Sequence, residues 1–373
     1  MESKHRPAEL TVDLGKVRQN IQVVKALQET VDPKREIYAV VKANAYGHGA
    51  VQIAKAAQEA GVTLFCVATL DEGVQLHKAG IDLPVLVLGV TDTSAIPLAQ
   101  KWGIRLTVPD VEWLKKAIKE VDKDARHKLL VHVALDTGMG RIGVRTQTEL
   151  AEISDLLKEQ TYVKWEGLFT HLAKADTKDR SFTEKQYRRF CDLVAPYRER
   201  VERIHIDNSA AGMWYPEFET DAVRLGIAMY GYSPAGEDIN ALEGISPVMS
   251  LATEIVMVKK LHQGESVGYG AEYVAEEDEW LATLPIGYAD GWQRAYKNVP
   301  VIIDGKKCPV AGRICMDQMM VRLPDYYPVG TKVTLMGRNG QEEVTAEDLA
   351  KASGTISYEV LTLFGPRLPH RYI

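Results

Sequence analysis

The chain has 373 residues, 46% of them hydrophobic and 26% charged, with a formal net charge of −6. That length suggests two domains, or one large domain with an appendage, and enough apolar mass for a sizeable core. The acidic balance argues against nucleic acid or a membrane surface as the main partner, since both select a basic face, and no apolar run reaches the roughly 18 residues of a membrane span.

The N-terminus, MESKHRPAEL, has no signal-peptide core, so the expected compartment is the cytoplasm. Residues 10–14 read as a short strand and 17–27 as a helix. The next stretch, EIYAVVKANAYGHG, is the one around which the rest of the chain is organised. Residues 37–41 are a short apolar, β-branched run, the pattern of a buried strand, and Lys42 stands at its end. Asn44, Gly47 and Gly49 break the strand, and the Ala-rich residues 50–60 read as a helix. From here strand-like runs recur at 64–67, 85–88, 104–106, 129–135, 165–168, 203–206 and 222–225. Helix-like segments lie between most of them, at 71–79, 95–101, 110–120, 149–159 and 183–197. Asp71 and Pro109 stand at helix-start positions. Eight strands alternating with helices over about 200 residues match a (β/α)8 barrel, although a doubly wound sheet also alternates.

Past about residue 244 the texture changes. Strand-like runs appear at 249–261, 279–284, 300–303, 307–310, 319–323 and 331–336, and only 346–352 reads as a helix. Asp304-Gly305 is a strong hairpin signal and Asn339-Gly340 a second turn pair. The expected division is therefore an α/β barrel over residues 1–244 and a C-terminal β-rich domain over 245–373. Residues 1–14 are left open to pack with the second domain.

The four cysteines, Cys66, Cys191, Cys308 and Cys315, show no Cys-x-x-Cys spacing, which points to reduced, mostly buried thiols. Nine scattered histidines without a His-Glu-x-x-His pattern predict no metal site.

In a (β/α)8 barrel the chemistry sits at the C-terminal ends of the strands. Those positions hold Lys42 and Tyr46, then Asp136 to Arg141, Thr170-His171, Asp207-Asn208-Ser209 and Arg224 to Ile227. A strand-end lysine is often an ordinary one, its stem on apolar surface and its head in water. Burial and neighbouring cations instead turn such an amine into a nucleophile for a carbonyl. The loops after the seventh and eighth strands suit a phosphate: Ser209 offers a hydroxyl, and the Gly226 and Ile227 amides can donate. Pyridoxal phosphate carries both a carbonyl and a phosphate. Gly138-x-Gly140-x-x-Gly143 formally matches a dinucleotide fingerprint. It lies on the fifth strand rather than the first, and Arg141 intrudes on it.

The segments VVKANAYGHG, DTGMGRIG, THLAKAD, IDNSA, RLGIAMYG, GYGAEY, PIGYADG, AGRICMDQ and ISYEVLT, in this order, resemble alanine racemases nearly end to end. The resemblance implies a pyridoxal-phosphate isomerase built as a (β/α)8 barrel and a C-terminal β domain. It also implies a head-to-tail homodimer with shared active sites, making D-alanine for peptidoglycan. Carried over position by position, Lys42 would hold the cofactor covalently and act as one base, and Tyr269 of the partner subunit would be the other. Arg224 would face the pyridine nitrogen and Arg141 the ring's phenolic oxygen. His171 would lie behind the ring and link Arg224 toward Tyr269. Tyr46, Asn208, Ser209, Gly226, Ile227 and Tyr358 would complete the cofactor site, most of them at the phosphate. Met316, also from the partner, would contact substrate, and Tyr288 would stand at the entrance.

Those roles have a physical logic. Racemisation removes a proton from Cα on one face and returns one on the other, which two fixed bases do without swinging around the substrate. An arginine stays cationic and has no acceptor site, so it leaves the pyridine nitrogen unprotonated. Tyrosine ionises near about 10 and needs nearby cations to serve as a base. One position departs from the pattern: many members carry a carbamylated lysine two residues before the Asp of DTGMGR, and here Ala134 stands there. Arg141 must be steadied otherwise, for which a bound anion is one means. A serine or broad-specificity racemase fits the same motifs, since one small group in a pocket shifts preference by about 1–3 kcal/mol. A non-catalytic pyridoxal-phosphate carrier would lack the second domain and the Tyr269 motif.

Overall fold

The structure, a computed structural model, describes residues 2–235 and 242–373. The chain forms two compact units. One comprises Gly15–Ala45 and Ala50–Ser246; the other comprises the N-terminal residues through Leu14, Tyr46–Gly49 and Pro247–Ile373.

The first unit is a (β/α)8 barrel. Its parallel strands are Glu36–Val40, Leu64–Val67, Val85–Val87, Arg105–Val108, Leu129–Ala134, Val163–Phe169, Arg203–His205 and Ala222–Leu225. They pair in chain order, and the first also pairs with the last. Between the last two strands the ring is joined by a single bridge, Asp207 to Val223. Strands covered on both faces bury nearly every residue, which is why they read as continuous apolar runs rather than as alternating ones. Helices stand where the alternation predicts them, including Ala50–Glu59, Leu70–Lys78, Val111–Lys119, Gln147–Lys158 and Ser181–Val194. The start signal at Asp71 is displaced by two residues. Thr69 is the cap, accepting the Glu72 amide, while the Glu72 carboxylate reaches back to the Thr69 amide in a capping box.

The second unit is β-rich. Ala8–Val12 pairs antiparallel with Met249–Glu254 and parallel with His370–Tyr372, so the two ends of the chain share one sheet. The expected single run at 249–261 is two strands, Met249–Glu254 and Met257–Leu261, in different sheets. Asp304 and Gly305, both at positive φ, turn Val301–Ile303 into Lys306–Cys308. A helix that the sequence pattern does not give, Ser357–Leu363, follows Ala346–Ser353. The cysteines are free thiols; Cys66 and Cys308 are buried, and Cys191 is exposed rather than buried. Among the described residues no helix is long and apolar enough to cross a membrane.

Candidate active site

The first barrel strand ends at Val40, and the amide of the following Val41 donates to the Cys66 carbonyl of the next strand. Lys42 comes next, and the backbone then does something no local signal announces. Ala43, Asn44, Ala45 and Tyr46 take φ values of 52°, 52°, 55° and 53°, one turn of left-handed helix. The left-handed form costs an L-residue about 1–2 kcal/mol, so its neighbours must hold it. The Ala45 amide donates to the Val41 carbonyl at 2.9 Å. The Ala43 amide donates to Glu72 Oε1 at 2.7 Å, and Asn44 Oδ1 accepts the Ala50 amide at 2.9 Å, tying the turn to the next helix. This strained turn fixes where the Lys42 side chain leaves the barrel.

Burial and the guanidinium groups of Arg141 and Arg224 hold the Lys42 amine below its ordinary value. Burial pushes the neighbouring Cys66 thiol up to about 12, so it stays protonated. His171, at the end of the sixth strand, is pulled down to about 3 by burial and by Arg224, Arg141 and Lys42, and is neutral at physiological pH. Four of the expected residues thus share one electrostatic field at the barrel mouth.

Arg224 is almost fully buried. Its Nη1 donates to His205 Nδ1 at 2.8 Å and to the His205 carbonyl at 2.9 Å. Its Nη2 donates to the carbonyls of Thr170 at 2.7 Å and Ile206 at 2.8 Å, with His171 Nδ1 farther off at 3.4 Å. These bonds occupy both terminal nitrogens and leave the Nε–H.

Asn208 caps the short helix Ser209–Trp214, accepting the Ala211 amide at 3.0 Å. Ser209 Oγ accepts the Gly226 amide at 2.9 Å, so one of the two expected backbone donors is engaged within the protein. Ile227 opens a 3-10 turn, where its amide has no acceptor in the turn itself.

The fifth-strand loop carries Arg141. Asp136 Oδ1 accepts the Gly138 amide at 3.1 Å and the Gly140 amide at 2.9 Å. A Cβ on Gly143 would stand 2.7 Å from the Asp136 nitrogen and 2.8 Å from the Ala134 oxygen. The glycines fold the loop around its own carboxylate, and its amides do not form a pyrophosphate cradle. Ala134 is buried at the strand end.

In the β-rich unit the Tyr46 and Tyr358 rings lie 5.9 Å apart, Tyr358 coming from the unexpected helix Ser357–Leu363. Tyr269 stands in the 3-10 turn Tyr269–Ala271 that joins the strands Ser266–Val267 and Tyr273–Val274. Its side chain is 70% exposed. Behind that hairpin, Leu261, Val267, Ala275, Leu281 and Ala311 form a buried cluster. Tyr288 and Met316 sit on adjoining loops: the Tyr288 amide donates to the Cys315 carbonyl at 3.1 Å and the Ala289 amide to the Met316 carbonyl at 3.0 Å. Both side chains are exposed.

Several side chains around this site carry no motif. His205, His132, Glu166, Gln186 and Glu72 hold the candidate residues, and the only sequence signal for the histidines is a polar side chain inside an otherwise apolar strand.

Comparison with known proteins bears on what this arrangement does. The family model "Alanine racemase, N-terminal domain" matches residues 12–234, and "Alanine racemase, C-terminal domain" matches 248–372. An alanine racemase of Limosilactobacillus fermentum is 47% identical over 370 residues, which is 99% of this chain and 98% of that protein. The crystal structure of alanine racemase from E. faecalis matches with a TM-score of 0.96 at 41% identity, covering 100% of both chains. A histidine racemase from Leuconostoc mesenteroides subsp. sake matches with a TM-score of 0.94 at 31% identity, covering 100% of this chain and 99% of that one.

Proposed function

The chain belongs to the alanine racemase family of pyridoxal-phosphate isomerases, and from that premise we propose that it interconverts L- and D-alanine with two proton-handling groups. One is Lys42 and the other is Tyr269 of the partner subunit, in a head-to-tail homodimer. The observation that carries the reading is Lys42 itself, an amine held below its ordinary value by burial and two arginines. A lowered value raises the share of the unprotonated amine, the form that attacks a carbonyl and takes a proton.

The residues present fit the cofactor. An amine at a strand end, two guanidinium groups, a neutral imidazole and a buried serine hydroxyl are the donor set for an aromatic aldehyde bearing a phosphate. Lys42 would hold it covalently. Tyr46, Ser209, Gly226, Ile227 and Tyr358 are the residues assigned to its phosphate end, with the Gly226 amide bonded to Ser209 Oγ in this structure, and Asn208 is assigned to the cofactor site beside them. When bound, the cofactor supplies an electron-withdrawing ring that acidifies the substrate Cα–H.

The chain's own groups do the rest. With the cofactor bound, Arg224 would face the ring nitrogen; a guanidinium has no site to accept a proton, so it would leave that nitrogen unprotonated. Lys42 removes or returns the Cα proton on one face, and Tyr269 of the partner subunit does so on the other. Arg141 would approach the ring's phenolic oxygen and help to hold the substrate, and because Ala134 stands where many relatives carry a lysine, an anion is the proposed counter-charge. Met316 of the partner subunit would contact the substrate, and Tyr288 would stand at the entrance. The exposure of Tyr269 in a single protomer supports a site completed by a second chain. We assign most of the cofactor site to the barrel, and Tyr358 and the partner's Tyr269 to the C-terminal β domain of residues 245–373. The product, D-alanine, would be supplied to peptidoglycan synthesis in the cytoplasm.

Subunit complementation tests this. Chains carrying Lys42→Ala are mixed with chains carrying Tyr269→Phe, each inactive alone. Activity should return on mixing, because a mixed dimer holds one complete site. No recovery in confirmed mixed dimers overturns the shared site.

A second reading concerns substrate breadth. The likeness to a histidine racemase supports a serine or broad-specificity racemase as the alternative. Racemisation rates on alanine, serine and histidine decide it, a preference for alanine by tenfold or less marking a broad enzyme.

A further inference from the structure

The hydrogen bonds behind Arg224 continue through the barrel interior. His205 Nε2 lies 2.9 Å from His132 Nδ1, and His132 Nε2 lies 3.0 Å from Glu166 Oε2. Arg105 clamps the far end, with its Nε 2.9 Å and its Nη2 3.2 Å from the Glu166 oxygens. His132 and His205 are fully buried and Glu166 nearly so.

One assignment of ring protons satisfies every bond. Burial works against the Glu166 charge, but hydrogen bonds from His132 and Arg105 hold its carboxyl down to about 2, so it has no proton to give. His132 therefore carries its proton on Nε2 and accepts at Nδ1. His205 then donates from Nε2 and accepts at Nδ1, where Arg224, which only donates, meets it. A second proton on either ring would set N–H against N–H. Burial, with Arg105 and Arg203 beside His132 and with Arg224 beside His205, keeps both rings neutral.

The fold goes out of its way to build this line. The pairing of Leu129–Ala134 with Val163–Phe169 slips after Val131, which faces Trp165, so that His132 faces Gly167 and Glu166 is the extra residue. Such a bulge re-aims a side chain, and here it turns a carboxylate into the barrel. Gly167 makes the room, since a Cβ there would lie 2.5 Å from His132 Nδ1. Phe169 stacks on the His205 ring at 5.0 Å and 3°, fixing its plane.

We propose that Glu166, His132 and His205 are positioning residues for racemisation, a one-directional relay that keeps a lone pair aimed at Arg224 and so fixes its guanidinium for the cofactor ring. The inference rests on the proposed role of Arg224 at the ring nitrogen. Reversing the relay would point the His205 Nδ1–H at the arginine and displace it.

Histidine-selective 15N labelling tests this in the wild-type chain, with cofactor loaded and removed. Both His132 and His205 should be neutral Nε2–H tautomers between about pH 6 and 8. Either ring found as the Nδ1–H tautomer or as imidazolium overturns the relay, with no variant needed. In Glu166→Gln the amide can donate as well as accept, so a second set of ring resonances should appear. There kcat should fall about tenfold, the scale of a weakened hydrogen bond to a charged group, with KM changing less than twofold. Unchanged tautomers with unchanged kcat in that variant overturn the proposal. Arg224→Gln should alter the absorbance of the bound cofactor. An unaltered spectrum would remove Arg224 from the ring and, with it, the purpose assigned to the relay.

Discussion

The carboxylate of Glu72 accepts a hydrogen bond of 2.7 Å from the amide of Ala43, the residue directly after Lys42. Its other oxygen takes the amides of Ala68 at 2.7 Å and Thr69 at 3.3 Å. One side chain therefore caps its own helix and anchors the left-handed turn of the neighbouring strand end. Glu72→Ala removes a cap and frees a strained backbone to relax. The expected cost is about 1–2 kcal/mol in urea unfolding. Because the relaxed turn no longer fixes Lys42, the variant should also lose cofactor faster on dialysis. A variant destabilised by that amount yet retaining cofactor as the wild type does would show that the turn holds without Glu72.

Gln186 joins two loops of the barrel mouth. Its Oε1 accepts the Ala173 amide at 2.8 Å, and its Nε2 donates to the His171 carbonyl and to Thr137 Oγ1, both at 3.1 Å. Thr137 in turn shares a 2.8 Å hydrogen bond with Thr170. The loops that carry Arg141 and His171 are thus pinned by a side chain that touches neither functional group. Gln186→Ala should lower kcat/KM about tenfold through misplacement, and Gln186→Glu, which keeps the acceptor and loses the donor, should fall between. Equal activity in all three forms would release Gln186 from this role.

What the sequence revealed of this site, and what it hid, divides on range. Strand ends are local features, and the alternating period carried Lys42, Arg141, His171 and Arg224 to one barrel mouth without knowledge of a single contact. The strands Leu64–Val67, Ala222–Leu225, Glu279–Leu284 and Met319–Leu323 are legible because full or alternating burial writes itself into short apolar runs. The left-handed turn was not legible. Ala43, Ala45 and Tyr46 have no preference for positive φ, and tertiary bonds from Glu72 and Ala50 impose it. Helix Ser357–Leu363 escaped because it is short and has no side-chain cap. The histidine relay joins residues 34 and 73 positions apart, which no spacing motif links.

Asp290 is a second buried anchor, in the β-rich unit. It is fully buried and receives Arg6 through Nη1 at 2.9 Å and Nη2 at 2.6 Å, Arg367 through Nε at 3.0 Å, and the Gly287 amide at 3.1 Å. Removing one partner of a buried ion pair strands the others, at about 3–5 kcal/mol. Asp290→Ala should cost that much. Gly287 precedes Tyr288, so the loop at the proposed entrance should loosen and KM should rise more than kcat falls. Substrate kinetics beside thermal unfolding check both parts, and a loss below about 1 kcal/mol would mean that water replaces the carboxylate.

Asp207 gives a prediction with a definite sign. Its carboxyl is fully buried, both oxygens lack a hydrogen-bond partner, and Arg35 Nη1 stands 3.9 Å away. Burial, only partly offset by Arg35 and Arg224, pushes it up from 3.8 to about 7. Below 3.8 the group is protonated in folded and unfolded chains alike. Between 3.8 and 7 the unfolded chain releases the proton and the folded chain keeps it. The contribution to stability therefore falls as pH rises through that window, by at most about 1.4 kcal/mol per pH unit, and is level above it. Asp207→Asn abolishes the slope. Arg35 is not stranded, because it still donates to Gln28 Oε1 at 3.0 Å and to the Phe218 carbonyl at 2.8 Å. The buried histidines, whose values are lowered, act with the opposite sign, but they are present in both proteins and cancel in the comparison. Urea midpoints taken between about pH 4.5 and 7 should thus diverge, the variant gaining on the wild type with rising pH. Parallel curves would mean that Asp207 is ionised in the folded chain throughout, with Arg35 or a buried water carrying its charge.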